Sequence, residues 1–127
     1  MDADKDNLND ISRLVIGGVF TVLNALGAGF LEKVYENALA HELRKAGLAV
    51  EQQRSLTITY DGIVAGEYVA DLIVEQALLV ELKAANALNE AHHAQCINYL
   101  RASGLRLGLL LNFGMKRLEI KRIANTV

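Results

Sequence analysis

The 127-residue chain has no proline and one cysteine, and none of its apolar runs approaches the roughly 20 residues of a membrane-spanning helix. Each absence excludes something. Without proline, glycine alone punctuates the helices and strands. Cys96, standing alone, rules out an internal disulfide framework and fits a reducing cytoplasm. No Cys/His spacing resembles a zinc site. The opening residues Met1-Asp2-Ala3-Asp4-Lys5-Asp6 have the wrong sign for a signal or transit peptide. Repeats, linkers and low-complexity tracts are also missing.

What is there describes a soluble globular chain: 52% apolar and 22% charged residues. The length predicts a single domain over residues 1–127 with a real core, its polar residues 1–9 frayed. The net charge of −2 hides an asymmetry. Residues 1–96 hold 7 Lys/Arg against 14 Asp/Glu, and residues 97–127 hold 6 against 1. The basic set Arg101, Arg106, Lys116, Arg117, Lys121 and Arg122 suits phosphates or, equally, ordinary solvated surface.

Periodicity predicts the elements. From about Asp10, the apolar positions Ile11, Leu14, Val15, Val22 and Leu26 follow helical spacing, with Gly18 in the slot between Val15 and Val22. A glycine there costs roughly 1 kcal/mol relative to alanine, which a close helix approach would explain. Gly27-Ala28-Gly29 ends this helix, and a second runs from about Phe30 to Ala46 with Leu31, Val34, Ala38 and Leu43 inward. Residues 50–60 alternate as a strand, and Asp61-Gly62 is a two-residue hairpin signal. A third helix over about 89–103, closed by Gly104, precedes a strand at 105–112 apolar enough to be buried on both faces. A more exposed strand, 117–122, completes the order ααβββαββ: an α/β sandwich around a mixed sheet.

The chemistry concentrates in Gly66–Lys83. Two apolar runs flank the break Glu75-Gln76-Ala77 and read as a hairpin. A three-residue loop pairs Val74 with Leu78 and sets Asp71 directly opposite Glu81. One face is then apolar (Ala70, Leu72, Val74, Leu78, Val80, Leu82) and the other carries Asp71, Glu81 and Lys83. A two-residue loop would instead put the two acids on opposite faces. Facing carboxylates repel and push one pKa upward unless a cation joins them. An Asp71–Lys83 ion pair is the simpler use of the same residues. On the third helix His92, Gln95 and Tyr99 share a polar stripe, and Glu32 with Tyr35 and Glu36 opens the second helix. A solvated stripe and a dipole-favoured acid explain these without function.

Together these residues resemble a known family. Gly29-Phe30-Leu31-Glu32-Lys33-Val34-Tyr35 is similar to the GxxExxY signature of small bacterial proteins assigned to the PD-(D/E)XK nuclease superfamily. The later segments resemble the same family: Asp71 with Glu81-Leu82-Lys83, then Gln95 to Leu100, then Gly108 to Gly114, so that residues 10–123 are covered. Gln95 and Tyr99 match the QxxxY element of its exonuclease-like branch, while Ala70 stands where the superfamily name has proline.

The resemblance implies a restriction-endonuclease-like fold and a metal-dependent nuclease acting on nucleic acid, DNA in particular. Asp71, Glu81 and the Leu82 carbonyl would hold Mg²⁺ (or Mn²⁺), with Glu32 as a further ligand. Lys83 would orient or deprotonate water or neutralise transition-state charge, and Gln95 and Tyr99 would position the phosphate or the lysine. Phosphodiester hydrolysis needs such a cation, and an all-oxygen ligand set suits these two ions. The alternative is a nucleic-acid- or partner-binding module that keeps the fold with little catalysis; the overall acidity argues against tight non-specific DNA binding. The high apolar content is compatible with a homodimer.

Overall fold

Two helices form one layer. The computed structural model describes residues 2–114 and 117–125, and in it α1 spans Asp2–Leu26 and α2 spans Glu32–Lys45. Helix α1 thus begins well before Asp10. Residues 2–9 are helical because Leu8 packs on the core and Asn9 accepts a 2.7 Å hydrogen bond from Arg122. Its buried stripe is Ile11, Val15, Val19 and Val22, whereas Leu14 and Leu26 are exposed. Gly18 supplies the close approach its position implies: a Cβ there would lie 3.1 Å from Leu39 Cδ1 and 3.2 Å from Leu43 Cδ2.

In α2 the inward residues are Tyr35, Glu36, Leu39, Ala40 and Leu43. Leu31 and Val34 are exposed, contrary to the spacing, because the helix starts only at Glu32 and Tyr35 sets its inward phase. Ala38 packs at the margin of the core.

The sheet has the order β1-β2-β3-β4-β5, with β1 Val50–Tyr60, β2 Ile63–Val74, β3 Leu78–Lys83, β4 Leu107–Asn112 and β5 Glu119–Ala124. Only β3 and β4 run parallel, joined by α3, Glu90–Ser103. Asn89 caps that helix and Gly104, at φ 75°, ends it in the left-handed conformation. The restriction-endonuclease-like α/β sandwich with its mixed sheet and order ααβββαββ is the observed fold. Every residue of β4 is buried, as an unbroken apolar run predicts.

Two cores result. Leu72, Val74, Leu78, Val80 and Leu82 meet α1 and α2 on one face. On the other, Ile73, Leu79 and Leu110 meet Cys96, Tyr99 and Leu100 of α3. Ala70 joins this second core, so the hairpin's apolar set is divided between the faces. Among the described residues, no helix is long and apolar enough to cross a membrane.

The β1–β2 hairpin is much longer than the strands beyond it. Its two-residue turn pairs Tyr60 with Ile63 and puts Asp61 and Gly62 at φ 51° and 79°. Tyr60, Ile63 and Val64 near the tip are exposed. The C-terminal basic residues do not gather into one patch. Arg122 donates to Ser12 and Asn9 of α1, Arg101 lies on α3, and Lys116 lies outside the described residues.

Candidate active site

The site forms where β2 and β3 part. Glu75 and Gln76 adopt φ of 55° and 52°, and Ala77 N–H closes a three-residue loop on the Val74 carbonyl at 3.0 Å. The resulting register pairs Val74 with Leu78, Ile73 with Leu79 and Leu72 with Val80, and there the ladder stops. Asp71 and Glu81 come next. Their side chains replace the missing ladder: Glu81 Oε2 accepts the Asp71 N–H at 2.8 Å, and Asp71 Oδ2 accepts the Leu82 N–H at 2.9 Å. Leu82, expected as a carbonyl ligand, touches the site through its N–H.

Such a fork concentrates negative charge in a dry place. Glu81 is only 4% exposed, and burial, followed by the Asp71 charge, pushes its carboxyl up to about 8. Burial also raises Asp71, against the Leu82 and Gln53 hydrogen bonds that lower it. Lys83 lowers Glu81 but does not offset these effects. Among the described residues no ion pair joins Lys83 to either acid.

Lys83 Nζ instead donates to Gln95 Oε1 at 2.8 Å, and Gln95 Nε2 donates to the Tyr99 hydroxyl at 3.4 Å. The Tyr99 ring lies 4.9 Å from that of Tyr68 on β2. Gln95 therefore meets the lysine, Tyr99 meets Gln95, and the two share one face of α3 as their spacing predicts. His92 does not join them: its Nδ1 accepts the Asn89 N–H in a capping box. Cys96 is buried in the α3 core, and burial pushes its thiol up to about 12, far from a thiolate.

Helix α2 brings two acids to the other side. Glu32 is exposed, and its Oε2 accepts the Ala84 N–H, one residue past Lys83, at 3.3 Å. Glu36 is the buried one, 3% exposed, and accepts from Lys33 at 3.1 Å, Gln52 at 2.8 Å and Gln53 at 2.7 Å. Adjacent strand residues normally point to opposite faces, yet Gln52 and Gln53 both reach Glu36. Gln53 does so from φ 53°, a region that strains any side chain with a Cβ. Its Nε2 also lies 3.3 Å from Asp71 Oδ1, bridging the two carboxylates. Glu36 is legible one turn after Glu32 on α2; nothing in the sequence marks Gln53.

Tyr35 is a structural member of its motif. Its hydroxyl donates to the Gly27 carbonyl at 2.6 Å, and its ring stacks on Phe113 at 4.4 Å. Past Lys83, the fully buried Asn112 holds the next loop. It accepts from Ala85 N–H at 2.9 Å and Gly114 N–H at 3.0 Å, and donates to the Ala85 carbonyl at 3.0 Å and Glu119 at 2.9 Å. Gly114 packs so tightly that a Cβ would fall 1.7 Å from the Ala85 oxygen.

The donor set fits a small hard cation. Among the described residues no three His, Cys, Asp or Glu side chains form a ready-made cage. Mg²⁺ seldom needs one: one or two carboxylates together with substrate phosphates are its usual protein site. Asp71 and Glu81 are two facing carboxylates of the kind such a site uses.

A search of curated proteins finds no match. Among solved structures, the crystal structure of SSO0001 superposes with a TM-score of 0.57 at 20% identity, over 75% of this chain and 50% of that one. An alkaline exonuclease (LHK-Exo) from Laribacter hongkongensis gives 0.48 at 14% identity, over 73% of this chain and 55% of that one. The chain thus spans about half the length of the structures it resembles. The sequence profile of the PD-(D/E)XK nuclease superfamily matches residues 9–123, nearly the whole length. With nearly the whole chain matched, the chain belongs to the PD-(D/E)XK nuclease superfamily.

Proposed function

We propose that this chain hydrolyses phosphodiester bonds of nucleic acid, DNA foremost, with Mg²⁺ or Mn²⁺ held at the fork, and that it falls in the GxxExxY group of its superfamily on Gly29, Glu32 and Tyr35. The observation that carries the reading is a facing carboxylate pair, Glu81 buried and Asp71 half-buried, beside an amine that an amide holds in place rather than an ion pair. Asp71 and Glu81, with the Leu82 carbonyl, would hold the cation, and Glu32 would add a ligand from α2. When bound, the ion supplies a polarised phosphoryl oxygen and a water that ionises near neutral pH. Lys83 stabilises negative charge developing on the phosphoryl oxygens, and Gln95 fixes its position. Tyr99 steadies Gln95, and Gln53 with Glu36 steadies Asp71.

The test is cleavage of end-labelled single-stranded DNA, duplex DNA and RNA with Mg²⁺ or Mn²⁺. Wild type cleaves at least one of them, and Lys83→Ala and Asp71→Ala lose at least about 100-fold, the scale of removing one transition-state contact. Equal cleavage by both variants overturns the assignment. Cation-independent binding that survives Asp71→Ala, with no cleavage, identifies a binding module instead.

A further inference from the structure

A groove runs along the sheet edge away from the fork. Its first part, a cavity of about 430 Å³, is lined by Thr57, Tyr68, Asn98, Arg101 and Ala102 among others. A second cavity of about 290 Å³ shares Thr57 and Ala102 with it and brings in Arg54. The groove therefore lies between edge strand β1, neighbouring β2 and helix α3. It meets the site through Tyr68, which lines it and packs on Tyr99. Gln95, Asn98 and Ala102 fall at i, i+3 and i+7 on one face of α3, and Tyr68 touches Tyr99, which touches Gln95.

The chemistry of the lining points to a ligand. Among the described residues the Arg101 side chain has no hydrogen bond and no ion pair, unlike Arg54 of the second cavity, which pairs with Glu51. The side chains of Thr57 and Asn98 likewise have no partner among the described residues. An unpaired guanidinium beside neutral donors and a part-exposed ring matches a phosphate backbone with an unstacked base. From Gln95 to Arg101 is about 9 Å along the helix axis, a short step on a strand.

We propose that this groove is the track of a single strand of nucleic acid leaving the fork, with Arg101 contacting a phosphate and Tyr68 stacking a base. This rests on the nuclease reading for its substrate class. Stacking on a side chain requires an unpaired base, which selects a single strand over a duplex.

The experiment is binding of a fluorescein-labelled 15-mer oligo(dT) by anisotropy, with chelator present and salt varied. Arg101→Glu is expected to weaken binding about tenfold or more, and Arg101→Ala to lower the slope of log K against log salt by about 0.7, one phosphate contact on a single strand. Arg101→Lys restores the slope, Tyr68→Phe keeps affinity, and Tyr68→Leu loses roughly tenfold. Unchanged affinity and slope in Arg101→Glu overturn the proposal, as does preferred binding of a duplex of the same length.

A second arm separates this from the nuclease reading. Hydrolysis of bis(p-nitrophenyl) phosphate, too small to span the groove, with Mn²⁺ is expected to be the same in Arg101→Glu as in wild type. Hydrolysis of the small diester with 15-mer binding indifferent to Arg101 overturns the groove and leaves the nuclease reading intact. Arg101-dependent binding with no hydrolysis of any diester does the reverse.

Discussion

Asp71 and Glu81 each accept a main-chain N–H of the opposite strand across the fork: Asp71 Oδ2 from Leu82 at 2.9 Å and Glu81 Oε2 from Asp71 at 2.8 Å. These bonds explain how a buried and a half-buried acid tolerate each other, since each gains a donor where the ladder lapses. They leave the acids' charge uncompensated, and that is the property a cation would use.

A first prediction follows for cation binding. Millimolar Mg²⁺ or Mn²⁺ is expected to raise the thermal midpoint of wild type, because a ligand binding only the folded state stabilises it by mass action. Glu81→Gln, which keeps the shape and removes the charge, should lose the cation-dependent rise. At pH 8 without cation it should melt higher than wild type, by roughly 3–5 °C if about 1 kcal/mol of repulsion is relieved. Thermal scans followed by circular dichroism decide both points.

The pH dependence has a definite sign. The Glu81 carboxyl keeps its proton to about pH 8 in the folded protein but releases it near 4.5 when unfolded. The folded state therefore binds more protons through that window, and without cation stability falls as pH rises from about 4.5 to 8. Asp71 pulls in the same direction, while Lys83 opposes it and Glu36 adds to it. Urea midpoints in chelator should decline across this range in wild type and flatten in Glu81→Gln. Saturating cation should remove the decline, because it binds the ionised pair.

The lysine and its holder should separate in kinetics. Gln95→Ala removes the one side chain that holds Lys83 Nζ and is expected to lower single-turnover cleavage about 10- to 100-fold. Tyr99→Phe breaks only a 3.4 Å contact to Gln95 and should cost no more than a few-fold. A Tyr99→Phe loss as large as that of Gln95→Ala would place the tyrosine on the substrate itself.

Gln53 sets backbone strain against function. Gln53→Gly and Gln53→Ala both lose the bridge between Glu36 and Asp71, so both should cleave more slowly than wild type. Only alanine keeps a Cβ at φ 53°, so the glycine variant should be the more stable by about 1 kcal/mol. Chemical denaturation of the pair reads the difference directly.

Much of this protein is written in local pattern. The turn residues Asp61-Gly62, the apolar run of β4 and the glycine closing α3 each act over a few residues, and each appears where it is expected; the period of two in β1 is interrupted at Gln53. The facing of Asp71 and Glu81 is nearly as local, since loop length alone sets hairpin register. The meeting of Lys83 with Gln95 was legible through resemblance and through helical spacing on α3.

Tertiary structure decided the rest. The start of α2, and hence which of its residues face inward, depends on Tyr35 docking against Phe113 and the Gly27 carbonyl, contacts distant in sequence. Residues 2–9 are helical through contacts that β5 and the core supply. Glu36 and Gln53 became part of the site only because α2 lies over a kink in β1, and a left-handed backbone at a glutamine leaves no trace in composition or period. Asn112 joins Ala85 and Glu119 for the same reason: they converge on it only once β3, β4 and β5 are side by side. Local pattern sets which face a side chain takes within an element; which elements share a face is settled by packing the two cores together.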